Sequence, residues 1–110
     1  MNPHLPGPGT REIDVETLAG PHDAVVIDVR EPDEFVAGHV PGAQLLPMSQ
    51  ITARVDELDR SRPLYVLCAV GQRSAAVVEY LLQAGFDAYN VAGGTYAWHR
   101  AGRALESGLG

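Results

Sequence analysis

The sequence contains no lysine and a single cysteine, and both shortages narrow its chemistry. All eight bases are arginine, which reads mainly as codon or lineage bias but also rules out a catalytic lysine. With Cys68 alone there can be no internal disulfide and no cysteine-based metal cluster, so a cytoplasmic, reducing setting is expected. His4, His22, His39 and His99 lack helical metal-ligand spacing, so no metal and no other cofactor is implied. No apolar run approaches the ~20 residues of a membrane span, and the amino terminus has no signal-like apolar stretch, so no membrane partner is expected. Fourteen acids against eight bases give a net charge of −6, which argues against a nucleic acid held through its phosphates. Gly93 and Gly94 lack the G-x-G-x-x-G spacing of a dinucleotide site and are read as backbone freedom before a helix.

What is present is an ordinary globular composition, 45% apolar and 20% charged over 110 residues, enough for one domain with a real core. Residues 1–10 carry three prolines and two glycines and are expected to be a flexible leader ahead of a single domain at 11–110. Beyond it the pattern alternates. A short strand at 11–13 precedes a brief helix capped by Asp14. The β-branched run at 24–29 has the composition of a strand buried on both faces. Glu31-Pro32-Asp33-Glu34-Phe35 predicts a short helix with proline in its first turn. A strand at 43–46 leads to a helix from Ser49, as cap, to about Leu58. A second buried strand at 64–67 is followed by a helix at 74–84 that Gly85 is placed to end. A last strand at 88–91 precedes a helix carrying Trp98 and Leu105. Strands alternating with helices predict an α/β domain with a mostly parallel central sheet, in which ligands bind at the carboxyl ends of the strands.

Cys68 sits at one such end, in the segment Leu67-Cys68-Ala69-Val70-Gly71-Gln72-Arg73-Ser74. One reading makes it a small buried hydrophobe finishing a core strand. The other makes it a nucleophile, because a loop closing on a helix amino terminus offers backbone N–H groups and a positive dipole end that favour thiolate. The loop composition favours the second. Gly71 permits a positive φ, Arg73 adds a fixed charge, and Ser74 can cap the helix with its hydroxyl. Arg73 could steady an anionic donor or lock the loop by binding a carboxylate. For Arg30 a structural role is favoured, with Glu34 as a candidate partner. Asp28 is open between a catalytic and a structural part, accepting hydrogen bonds from loop amides or pairing with Arg73. His39, before a Pro-Gly turn, reads as a turn-stabilising donor more than a general base. Trp98 is expected to anchor the core or its rim.

Three stretches together resemble the rhodanese (sulfurtransferase) family in its single-domain form. They are Asp28-Val29-Arg30-Glu31 through Gly38-His39-Val40-Pro41-Gly42-Ala43, the Cys68 loop, and Val91-Ala92-Gly93-Gly94 with Trp98. The resemblance implies a three-layer α/β domain with about five strands. It implies that Cys68 takes a sulfane sulfur from thiosulfate or a persulfide donor and passes it to cyanide, a thiol or a protein acceptor. The amides of Ala69, Val70, Gly71, Gln72, Arg73 and Ser74 would then form a nest for the charged sulfur. Phosphatases and arsenate reductases of similar fold have one more loop residue, and the four residues between Cys68 and Arg73 suit a sulfur atom better than a phosphate. A non-catalytic binding module and a persulfide or redox sensor are the further alternatives. Ala69 and Val70 are apolar and Gln72 is neutral, so weak thiosulfate binding is expected, and a protein or small persulfide is a plausible donor. With no second cysteine in the chain, any resolving thiol must come from outside.

Overall fold

A computed structural model describes residues 11–109, so the expected leader at 1–10 lies outside the described residues. In chain order the elements are β1 (Glu12–Ile13), α1 (Val15–Ala19), β2 (Val25–Asp28), α2 (Pro32–Ala37), β3 (Gln44–Leu45), α3 (Ile51–Arg54), β4 (Leu64–Leu67), α4 (Gln72–Gln83), β5 (Ala88–Val91) and α5 (Gly94–Arg100). The strands form one five-stranded sheet in the order β1-β5-β4-β2-β3, and every neighbouring pair is parallel. Side chains alternate across such a sheet, and each face has its own core. Ile27, Leu64, Val66 and Ala88 pack with Ile51 of α3 and Val77, Val78 and Leu81 of α4. Val26, Leu67 and Val91 pack on the other face with Val15 and Leu18 of α1 and Trp98 of α5. The result is a three-layer α/β sandwich. Each fully buried aliphatic side chain in these layers stabilises the fold by about 1.5–3 kcal/mol. No helix among the described residues is long and apolar enough to cross a membrane.

Local chemistry explains most of the boundaries. The Asp14 carboxylate accepts from the Thr17 amide at 2.8 Å and starts α1. Helix α2 opens with a capping box between Glu31 and Glu34, and Pro32 sits in its first turn. Helix α4 ends as expected at Gly85, whose φ is +93°. The Phe86 amide reaches the Leu81 carbonyl and the Gly85 amide that of Leu82, a Schellman ending.

Three expectations are corrected. Ser49 caps nothing: it lies inside a 3-10 turn at Met48–Gln50, and the expected single helix is split into that turn, α3 and a second 3-10 turn at Val55–Glu57. The break falls where Arg54 leaves helical geometry, with φ −117° and ψ 11°. Ser74 is not the cap of α4; Gly71 holds that position in a left-handed conformation, φ +100°, and Ser74 lies within the first turn. Leu105 is not on the last helix, which ends at Arg100, although it still packs near Trp98.

Candidate functional site

The sheet order makes a crevice. The chain leaves β2 toward β3 on one side and returns as β4 on the other, so the loops after β2 and β4 diverge at their carboxyl ends. Both stretches that carry the expected site residues open from this point. Cys68 follows β4 directly and Asp28 ends β2, with Asp28 opposite Leu67 in the register.

Cys68 is 1% exposed, and its sulfur is surrounded by donors. The amide of Gly71 lies 3.2 Å from Sγ, that of Ser74 3.4 Å, and the Ser74 hydroxyl oxygen 3.3 Å. Burial pushes the thiol up, but the hydroxyl and amide of Ser74, with the amides of Gly71 and Val70, outweigh it and leave Cys68 below its ordinary value. Of the loop amides expected to form a nest, those of Gly71 and Ser74 make the measured contacts with Sγ and that of Val70 adds to them. Both measured contacts depend on the left-handed turn at Gly71, which swings the chain back over the sulfur.

The loop is held from behind by α5. The Cys68 carbonyl accepts from the Thr95 amide at 2.9 Å and the Thr95 hydroxyl at 3.1 Å, and the Ala69 carbonyl accepts from the Tyr96 amide at 2.9 Å. This close approach is why glycine stands at 94. A Cβ there would be driven into the Cys68 carbonyl oxygen and would lie 2.8 Å from that of Ala69. Gly93 and Gly94 therefore supply more than freedom before a helix: they let that helix touch the loop backbone. Thr95 and its contact were not evident from the sequence, although the pair of glycines was their signal.

The charged side chains pair differently from the expectation. Asp28 accepts the Arg30 backbone amide at 3.0 Å and holds the Arg30 guanidinium through both carboxylate oxygens. Arg30 also donates to the Gly38 carbonyl at 2.7 Å, so this buried pair ties the exit of β2 to the end of α2. Asp28 accordingly neither accepts from the Cys68 loop nor pairs with Arg73, and Glu34 is not the partner of Arg30. The reason is local: Arg30 follows Asp28 by two residues, and its side chain folds back over the strand end. Glu34, in the first turn of α2, faces across the crevice and binds Arg73 in a bidentate pair at 2.8 and 3.0 Å. Arg73 thus binds a carboxylate and fastens the loop to α2.

The Arg73 hydrogen bonds hold the Glu34 carboxyl at about 2, well below its ordinary 4.5, and the Arg73 guanidinium is raised in return by Glu34. Because the folded value is depressed, the pair stabilises the protein fully above about pH 4.5 and is lost as pH falls toward 2. Glu34→Gln should lower stability by about 0.5–1 kcal/mol at neutral pH, since both side chains are partly exposed. Urea unfolding at several pH values checks this: the gap between wild type and variant should close between pH 4.5 and 2. A gap that persists at the acid end would show that the pair is not its source.

Asn90 was not anticipated. It is 2% exposed on β5, accepts from the Ser74 hydroxyl, and donates to the Gly71 carbonyl at 3.1 Å. Its only signal in the sequence is a polar side chain inside an otherwise apolar strand. His39 is engaged by α2: its Nδ1 donates to the Phe35 carbonyl at 2.9 Å and its ring stacks on Phe35 at 3.8 Å. Trp98 is buried and donates to the Ala104 carbonyl. A cavity of about 240 Å3 opens elsewhere, at the amino end of β2 near His22, Arg62 and Trp98. Among the described residues no three His, Cys, Asp or Glu side chains are grouped to hold a metal ion.

The fold and this loop define an α/β domain with a buried, hydrogen-bonded cysteine at the mouth of a parallel sheet. A family model described as the rhodanese-like domain matches residues 14–101, and the chain belongs to that family. A protein named sulfurtransferase from Allochromatium vinosum is 38% identical over 96 residues, covering 83% of this chain and 90% of its own. The uncharacterized protein YqhL of Bacillus subtilis is 39% identical over 84 residues, covering 76% of this chain and 67% of its own. Among solved structures, a rhodanese-related protein from Thermoplasma volcanium superposes with a TM-score of 0.79 at 33% identity, covering 91% of this chain and 99% of its own. A rhodanese-like domain protein from Staphylococcus aureus gives 0.78 at 36% identity, covering 90% and 99%.

Proposed function

We propose that this protein is a sulfurtransferase that carries sulfur on Cys68, taking it from a persulfide more readily than from thiosulfate. The observation that carries the reading is the Cys68 sulfur itself, a lone thiol whose pKa is held below its ordinary value by converging donors at the crevice. In the first step the Cys68 thiolate attacks the outer sulfur of the donor. The new Sγ–S bond forms as the donor's S–S bond breaks. Sulfite leaves thiosulfate, or a thiolate leaves a persulfide, with the electron pair. In the second step an external thiolate, a protein thiol or cyanide attacks the outer sulfur of the Cys68 persulfide and releases the Cys68 thiolate. Two displacements replace one difficult transfer, as covalent catalysis does generally.

The donor preference follows from charge. Thiosulfate is a dianion. Arg73 is the one charged residue of the loop, and Glu34 already engages it through both oxygens. Ala69 and Val70 are apolar, and Val70 is 54% exposed at the mouth of the site. The chain as a whole carries −6. These features favour a donor or acceptor whose bulk is organic, including a protein thiol, over a small dianion.

Intact mass after incubation with each donor tests the reading. Glutathione persulfide should add one sulfur atom that cyanide removes, and thiosulfate at equal concentration should load far less. Equal loading by both would sink the preference. No loading by either donor would sink the transfer reading and leave a binding module.

A further inference from the structure

The hydrogen bonds around Ser74 do not fit one proton. Its hydroxyl oxygen lies 3.3 Å from Cys68 Sγ and 2.5 Å from Asn90 Oδ1, yet a hydroxyl has one hydrogen to give. The orientation of the Asn90 amide decides which partner receives it. Nδ2 faces the Gly71 carbonyl at 3.1 Å and a Glu12 carboxylate oxygen at 3.2 Å, and both can only accept. The NH2 end must therefore face them, which turns Oδ1 toward Ser74. Oδ1 is also only an acceptor, so at 2.5 Å the hydroxyl proton must lie between the two oxygens. That leaves the Ser74 lone pairs facing sulfur, suited to receive the S–H of a thiol and unsuited to a thiolate.

We propose that Asn90 is a positioning residue that competes with Cys68 for the Ser74 proton, keeping the hydroxyl turned from sulfur while Cys68 is a thiol. When the thiol proton leaves to solvent, the hydroxyl rotates to donate to the thiolate, and Asn90 Oδ1 loses its partner. Asn90 thus opposes formation of the nucleophile, while its NH2 group holds the Gly71 carbonyl and so the turn that supplies the Gly71 amide donor. The charged groups around this network are Glu12 beyond Asn90 and the Arg73–Glu34 pair at the crevice; Asp28 and Arg30 are bound to each other. The inference deepens the proposed sulfur-transfer reading, but its test does not require transfer, because it reads only the acidity of Cys68.

The measurement is the rate of Cys68 alkylation against pH in wild type, Asn90→Ala, Ser74→Ala and the double variant. The chain has one cysteine, so the signal is unambiguous. Freed from Asn90, the Ser74 hydroxyl can donate to sulfur at no loss, and Asn90→Ala should shift the midpoint about one pH unit further down with Ser74 present than in Ser74→Ala. In the Ser74→Ala background the same substitution should not lower it. Loss of the Gly71 support acts alike in both backgrounds, so the proposal is overturned if Asn90→Ala lowers the midpoint no more with Ser74 present than in Ser74→Ala. Asn90→Val, which suits a strand, replaces the alanine variant if that one does not fold. Infrared spectroscopy of the wild-type thiol gives a reading independent of Asn90 variants. A hydrogen-bonded S–H band that reverts to the free position in Ser74→Ala is expected, and a free S–H band in the wild type would refute the arrangement.

Discussion

Cys68→Ser is expected to lose all sulfur loading, from either donor, while unfolding within about 1–2 kcal/mol of wild type. Serine keeps the shape and can accept from the same amides, so the buried donors at Gly71 and Ser74 are not orphaned. What it cannot do is form a persulfide, because the hydroxyl is not appreciably ionised and an oxygen–sulfur bond is no carrier. Intact mass after glutathione persulfide, beside urea unfolding, separates the two effects. If the serine variant still took up cyanide-labile sulfur, Cys68 would not be the carrier and the proposed mechanism would fail.

Gly94→Ala should damage the protein more than any other single methyl group added at a glycine of the crevice. Its φ of +57° already disfavours a side chain, by about 1–2 kcal/mol. The added Cβ also meets the carbonyl oxygens of Cys68 and Ala69, backbone atoms that cannot move aside without releasing Thr95 and Tyr96. Overpacking of this kind adds about 1–3 kcal/mol, for a total loss of about 2–5 kcal/mol. Out of a typical 5–15 kcal/mol the fold can survive, but the loop cannot keep its shape, and alkylation and sulfur loading of Cys68 should both fall. Gly102→Ala is the control. It shares a positive φ, +81°, but nothing lies within 4 Å of its added Cβ, so only the conformational part remains. Equal losses in urea for the two variants would show that the contact with the loop carries no weight.

The parts of the fold that were legible from sequence are those set by short-range pattern. The apolar runs at 64–67 and 88–91 became β4 and β5 with no change of boundary, and Asp14 and Gly85 terminate helices as their chemistry requires. The position of Cys68 after β4 followed from the same reading. The start of α4 was misplaced because Ser74 and Gly71 both carry capping signals, and the left-handed turn took precedence once the hydroxyl had partners inside the site. The partners themselves were not legible. Arg73 and Glu34 are 39 residues apart, Thr95 and Cys68 27, and Asn90 and Ser74 16. Such pairs are made by the order of strands in the sheet, and a single sequence does not state that order. Arg30 shows why: four carboxylates, Asp28, Glu31, Asp33 and Glu34, lie within four residues of it, and only the turn of the chain after β2 selects Asp28.

The support of the Cys68 loop by Thr95 and Tyr96 also sets a sequence of events at the ribosome. At about 5–20 residues per second, the stretch from Cys68 to Tyr96 takes roughly 1–6 s to synthesise. During that interval the cysteine has been made but the residues that brace its carbonyl have not, and β1 still lacks its sheet neighbour β5. The nascent thiol therefore passes through the most crowded part of its life without the arrangement that sharpens its reactivity. The brace on the Cys68 loop can therefore form only after residues 95 and 96 have been made, 27 positions and more beyond the cysteine it supports.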